Sequence, residues 1–247
     1  MNRTVFNEIM QILFPSDIKC IVCGNEITPN RYGVCDKCSF DLNSNYCARC
    51  GRHKVGIGEY CGECANPNLH FDEARSSVVY DGCASKIIQR FKYGDAKYLA
   101  EPLSEYLLDT LVATDWKFDC FTFVPIHKKR LKRRGYNQAE LLAAALSEMT
   151  TKPCIKLIEK IKPTPNQARS SRAERENNLK DSFAICEKPP ERVVLIDDVM
   201  TTGSTANECA KVLKRAGAKS VYVLTFASVS EKPLTDKQTR SIRNFRK

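Results

Sequence analysis

Val193-Val194-Leu195-Ile196-Asp197-Asp198-Val199-Met200-Thr201-Thr202-Gly203-Ser204-Thr205 is the most informative run in this 247-residue chain. Its four leading apolar residues read as a buried strand that ends on two adjacent carboxylates. A turn of Thr, Gly and Ser follows and opens a helix predicted over 205–216, closed by Gly217. Backbone N–H groups and hydroxyls at a helix N-terminus receive a dianionic phosphate, and Gly203 lets the backbone approach it closely. Carboxylates just upstream accept hydrogen bonds from vicinal sugar hydroxyls. The carboxyl end of a strand is also where open α/β sheets bind ligands. A strand with an acidic end before a capped helix occurs in many α/β proteins, but adjacent acids followed by Thr-Thr-Gly-Ser-Thr are much more specific.

On both sides of this run the chain alternates strands with amphipathic helices. Strands are predicted over 74–80, 121–125, 193–196 and 220–225, and helices over 84–91, 97–112 and 137–149. This order predicts a mostly parallel sheet flanked by helices. The length suits one ordinary domain and a small one: 1–70, 71–230, and a basic tail at 231–247 expected to be disordered. A formal charge of +10 favours anionic partners: nucleic acid, phosphorylated small molecules or an acidic membrane surface.

The region before residue 71 is poor in apolar runs and rich in cysteine, so something other than a core of its own must hold it together. Eight of the chain's thirteen cysteines fall there as four CxxC pairs: Cys20/Cys23, Cys35/Cys38, Cys47/Cys50 and Cys61/Cys64. Two such turns supply the four tetrahedral thiolates of a structural Zn2+ site, which leaves the metal no open position for catalysis. The first two pairs would close one site and the last two another; a cross-braced pairing, first with third and second with fourth, uses the same ligands. Eight sulfurs suffice, so His53 and His70 read as surface residues. The lone Cys83, Cys120, Cys154, Cys186 and Cys209 read as small buried apolar side chains. Residues 1–15 read as an amphipathic helix through Val5, Phe6, Ile9, Met10, Leu13 and Phe14, not as an export signal. No segment approaches the roughly 18 uninterrupted apolar residues of a membrane span. A cytoplasmic, reducing setting is therefore expected, where metal ligation is favoured over disulfides.

The 193–205 run resembles, almost residue for residue, the motif by which type I phosphoribosyltransferases bind 5-phosphoribosyl 1-pyrophosphate (PRPP). The resemblance implies that fold, PRPP with Mg2+, Asp197 and Asp198 as the catalytic acids holding the ribose hydroxyls, and Thr201, Thr202, Gly203, Ser204 and Thr205 around the 5-phosphate. In that setting Ile126-His127-Lys128-Lys129-Arg130-Leu131-Lys132-Arg133-Arg134-Gly135-Tyr136-Asn137-Gln138 reads as a pyrophosphate-binding loop, with Arg133, Arg134 and Gly135 as its contributors. Lys92, in Lys92-Tyr93-Gly94-Asp95, serves equally well as a ligand contact or as a complement to a helix dipole. The polar stretch from Thr164 through Arg169, Arg172, Arg175 and Leu179 to Phe183 resembles the loop that closes over PRPP.

Taken with the paired cysteines and Phe91-Lys92-Tyr93-Gly94-Asp95, these segments resemble the ComF/GntX family over nearly the whole chain. Membership implies a role in DNA uptake during natural competence, alongside other competence proteins, or a phosphoribosyltransferase-like activity without a stated acceptor. Two principal functions fit the sequence. As an enzyme, the protein would displace pyrophosphate at ribose C1 through an oxocarbenium-like transition state, as the resemblance implies. As a binding module, it would hold PRPP or another phosphate and bind single-stranded DNA, with Tyr136, Tyr93 and Phe91 as candidate stacking residues. A zinc-bearing adaptor without catalysis is a third possibility.

Overall fold

The computed structural model describes residues 19–62, 64, 69–163 and 179–230. The predicted helix at 1–15, most of the polar stretch before Phe183 and the basic tail lie outside them. Four parallel strands form the central sheet: β1 (Glu73–Val79), β2 (Cys120–Phe123), β5 (Arg192–Met200) and β6 (Ser220–Ser228), in the order β1-β6-β5-β2. A short antiparallel pair, β3 (Ile158–Lys160) with β4 (Phe183–Ile185), stands apart. The helices are α1 (Gly82–Tyr93), α2 (Ala100–Val112), α3 (Lys128–Arg134), α4 (Gln138–Met149) and α5 (Ser204–Arg215).

Val193 to Ile196 are all fully buried, and since successive strand residues point to opposite faces, both faces of β5 are covered. On one side α2 packs against β1 and β6 and α4 against β5 and β2; α5 packs against β5, β6 and β4. Ile87, Ile88 and Phe91 of α1 are buried, each contributing about 2 kcal/mol of hydrophobic stabilisation.

Both sheet edges are partly covered. Leu42 bridges Val78 in antiparallel fashion, with Asn43 N–H donating to Ser77 O at 3.0 Å and Val79 N–H to Asp41 O at 2.8 Å. At the other edge, residues 153–155 pair with Phe121. Exposed ladder groups invite association, so the cysteine-rich region protects the β1 edge.

Several elements differ from expectation. β5 runs on through Asp197 and Asp198 to Met200, because β6 continues alongside it: Asp197 pairs with Thr225 and Met200 with Ser228. The basic segment is a helix over Lys128–Arg134, with His127 Nδ1 accepting from Lys129 N–H and Gly135 closing it. Among the lone cysteines, Cys120 and Cys209 are buried, but Cys83 and Cys154 are half-buried and Cys186, just beyond the short β4, is exposed. His53 is half-buried against Asn43, whereas His70 is exposed.

Candidate functional site

The eight paired cysteines gather into two groups, Cys20, Cys23, Cys35 and Cys38, and Cys47, Cys50, Cys61 and Cys64, with ligand atoms in each within 4.8 Å of one another. The pairing is sequential, not cross-braced. Four sulfurs at tetrahedral Zn–S distances of about 2.3 Å stand about 3.8 Å apart, and Cys23 and Cys35 Sγ are 3.8 Å apart and Cys50 and Cys61 Sγ 3.7 Å. Backbone N–H groups point at sulfur, Cys35 N to Cys20 Sγ at 3.4 Å and Cys61 N to Cys47 Sγ at 3.3 Å, as charged thiolates require. Both groups therefore fit zinc.

The groups sit differently. In the first, Cys23 is exposed and Cys35 half-buried. It is held to α2 by Arg31, 2.5 Å from Glu105 and 2.8 Å from Asp109, and by Tyr32, whose hydroxyl donates to Asp109 at 2.6 Å. All four cysteines of the second are buried and belong to the main core. Gly51, at φ +67°, lies so close to β1 that a Cβ there would stand 2.5 Å from Ala74 O.

At the carboxyl ends of the sheet strands a cleft of about 400 Å³ opens between α1, α3, β3 and the 201–205 turn. Asp197, Asp198, Thr201, Thr202, Ser204 and Thr205 line it from one side. Gly203 is the residue before α5 and has φ +77°, a left-handed conformation that favours glycine. Thr202 and Ser204 hydroxyls lie 2.9 Å apart, so the turn offers hydroxyls and α5 amides together. Asp198 N–H donates to Asp197 Oδ1 at 2.8 Å, fixing that carboxylate. Burial and the neighbouring Asp198 push the Asp197 carboxyl up to about 7.

Cations face these acids. Lys92 Nζ is 2.8 Å from Asp198 Oδ2; burial alone would lower its pKa, but Asp198 outweighs it and the ammonium is held above its ordinary value. Arg130, Arg134 and Lys160 line the same cleft. Burial, then nearby Arg134, lower Arg130; burial, then Arg130, bring Lys160 down to about 8. Tyr136, Asn137 and Gln138 lock the walls. The Tyr136 hydroxyl and Gln138 Nε2 donate to Phe91 O at 2.7 and 2.8 Å, satisfying a carbonyl at the end of α1, and Asn137 Nδ2 donates to Val124 O at 3.0 Å.

The structure thus brings together all the sequence-chosen acids and turn residues except Gly203, which supports the turn from outside the lining. Lys92 and Arg134 line the cleft; Arg133 and Gly135 do not. Arg130 and Lys160 are lining residues that the sequence reading passed over. Helical spacing is the signal for Arg130, four residues before Arg134 and hence on the same face; no local signal marks Lys160. Among the aromatic candidates, Phe91 and Tyr136 are core and only Tyr93 is exposed.

This strand order, turn and pair of cysteine groups define a phosphoribosyltransferase-type domain joined to a double zinc ribbon. Accordingly, a family model described as phosphoribosyl transferase domain matches residues 131–243, and one described as double zinc ribbon domain matches residues 9–65. The chain is 32% identical over 220 residues to Competence protein F of Haemophilus influenzae, covering 84% of this chain and 95% of that one. It is 29% identical to DNA utilization protein YhgH of Escherichia coli (strain K12), over 83% of this chain and 94% of the relative, and 26% identical to Competence protein ComFC of Streptococcus pneumoniae, over 89% and 92%. The chain belongs to the competence protein F family. Among the described residues, no helix is long and apolar enough to cross a membrane.

Proposed function

We infer that the cleft binds PRPP and that the protein acts in the handling of incoming DNA. One observation carries the reading: two acids and a hydroxyl-rich turn face Lys92, Arg130, Arg134 and Lys160 across one cleft. A sugar with phosphates at both ends fits that division. The 5-phosphate takes the hydroxyls and amides of 201–205, the ribose hydroxyls donate to Asp197 and Asp198, and the diphosphate lies among Arg130, Arg134 and Lys160. Lys92 holds Asp198 until the ribose hydroxyls compete for it. Magnesium bound with the diphosphate would neutralise its charge, and the carboxylates of Asp197 and Asp198 would be the hard oxygen groups beside it. In a transferase reaction the bond from C1 to pyrophosphate breaks, the cations stabilise the departing charge, and an acceptor attacks C1. The names of the Haemophilus and Streptococcus relatives support a place in competence, and zinc thiolates suit a reducing cytoplasm.

A second reading, binding of single-stranded DNA, is favoured by Tyr93. It is 67% exposed, with the Arg134 guanidinium 5.2 Å above its ring, the pairing of aromatic and cation on which bases stack. Calorimetry with PRPP at millimolar magnesium tests the first reading. Heat is expected from the wild-type protein and none from the Asp197→Asn/Asp198→Asn double variant; silence of the wild type towards every phosphoribosyl compound defeats it. For the second, affinity for single-stranded DNA should fall steeply as salt rises, and Tyr93→Ala should weaken it about tenfold, corresponding to a stacking loss of about 1–3 kcal/mol.

A further inference from the structure

Arg52 is seated in the second cysteine group yet reaches the phosphate turn. It lies two residues past Cys50 and is only 6% exposed. Its Nε is 3.5 Å from Cys50 Sγ and its Nη2 3.6 Å from Cys61 Sγ, while Nη1 donates to the carbonyl of Thr201 at 3.4 Å. A guanidinium presents its donors in a rigid planar fork, so a single side chain can address sulfur on one flank and the first residue of the turn on the other. Four thiolates around one divalent ion keep a net negative charge, which compensates a buried cation.

The backbone around Arg52 is tied to the same strand ends. Asn43 Nδ2 donates to Gly51 O at 2.8 Å and to Ser228 Oγ at 3.3 Å, His53 N–H donates to Ser228 Oγ at 3.1 Å, and Val229 N–H donates to Met200 O at 3.0 Å. Met200 immediately precedes the turn. The second ribbon is thus built against the loop that would receive the phosphate, whereas the first is tied to α2 through Arg31 and Tyr32 and to α1 through Arg90, which donates to Ile21 O and Val22 O.

We propose that Arg52 is a positioning residue that couples the second zinc ribbon to the 201–205 turn, so that zinc held by Cys47, Cys50, Cys61 and Cys64 preorganises the turn for a phosphoryl group. The ligand half rests on the reading of the cleft given above; the mechanical half, zinc-dependent order in the turn, does not. With the cluster intact, the Thr201 carbonyl is pinned and the following amides are already aimed, so binding incurs little ordering cost. Coupling of this kind is reciprocal, and a phosphate ligand in the turn should in turn slow the loss of zinc from the second ribbon.

The test uses the full chain, loaded with zinc, with ribose 5-phosphate and Mg2+-PRPP as probes. Arg52→Lys keeps a cation beside the thiolates but loses the fork; Arg52→Met removes the charge as well. Zinc content, hydrogen exchange and affinity are read on each. Exchange across 201–205 is expected to accelerate about tenfold in both variants while 220–228 keeps its wild-type rate, and ribose 5-phosphate affinity to fall by a similar factor, the size of a coupling of about 1.4 kcal/mol. In the wild type, ribose 5-phosphate should slow zinc transfer from the second ribbon to a chelator. Unchanged exchange across 201–205 in both variants, whatever their zinc content, overturns the proposal. So does acceleration spread equally over 201–205 and 220–228, which marks general destabilisation. If the wild type binds neither probe, the reading of the cleft fails, and the exchange result still decides whether Arg52 tethers the turn.

Discussion

Asp197 is held protonated by its surroundings until near neutral pH: burial and Asp198 bring its carboxyl up to about 7, against about 3.9 for an aspartate in an unfolded chain. Between those values the folded state binds more protons than the unfolded one, so this residue lowers stability as pH rises from about 4 to about 7, and the loss stays constant above that. Asp197→Asn removes the penalty. The variant is expected to melt higher than wild type at both pH 5 and pH 8, with the gap wider at pH 8 by on the order of 2 kcal/mol; a gap that does not change between the two values would show that the carboxyl is not strained. Ligand binding reads the same groups in reverse. Ribose hydroxyls favour ionised Asp197, so PRPP should release a proton near pH 6.5. A diphosphate beside Lys160, which burial and Arg130 have brought down to about 8, favours the ammonium, so binding near pH 8.5 should take a proton up. Calorimetry in buffers of different ionisation enthalpy measures both signs.

At the scale of elements, α3 decides which basic residues can act. A helix over Lys128–Arg134 puts Arg130 and Arg134 in the cleft and leaves Arg133 outside its lining. Arg130→Ala and Arg134→Ala should each weaken PRPP binding at least tenfold, as loss of a charge-assisted contact of about 1.5–3 kcal/mol requires. Arg133→Ala should leave it within twofold, and an equal loss in all three would favour a diffuse basic surface. The contrast also shows where sequence reading stops. The Val193–Ile196 strand, the acids and the Thr/Gly/Ser turn are legible because each stage of that motif depends on neighbours a few residues away. The basic run lacks apolar periodicity, and α3 has no buried residue, so hydrophobic pattern does not announce it. The three-residue strands β3 and β4 are too short for alternation to register, and Lys160 reaches the cleft only because β3 pairs with β4, far along the chain.

Across the whole molecule the two cysteine groups look alike in spacing but differ in what they support. The first rests on the rim of the core: Ile21, Val22, Tyr32 and Val34 pack against it while only partly buried, and Arg31, 45% exposed, pairs with Glu105 and Asp109, where surface ion pairs contribute at most about 1 kcal/mol each. The second shares the hydrophobic core and protects the edge strand: Ala74 N–H donates to Arg49 O at 2.8 Å, and Cys47, Cys50, Cys61 and Cys64 are buried beside Phe71. Spacing alone could reveal eight ligands, but not that one group sits at the rim of the core and the other inside it, since that depends on packing against β1 and β6. Loss of metal should therefore have unequal consequences. Cys38→Ser is expected to leave one zinc per chain and to lower the main thermal transition by only a few degrees. Cys47→Ser should abolish the cooperative transition or lower it by about 10 °C or more, as removal of buried, mutually compensating ligands costs several kcal/mol. Scanning calorimetry with metal analysis on the two variants checks this, and equal losses would mean that the ribbons stabilise the sheet alike.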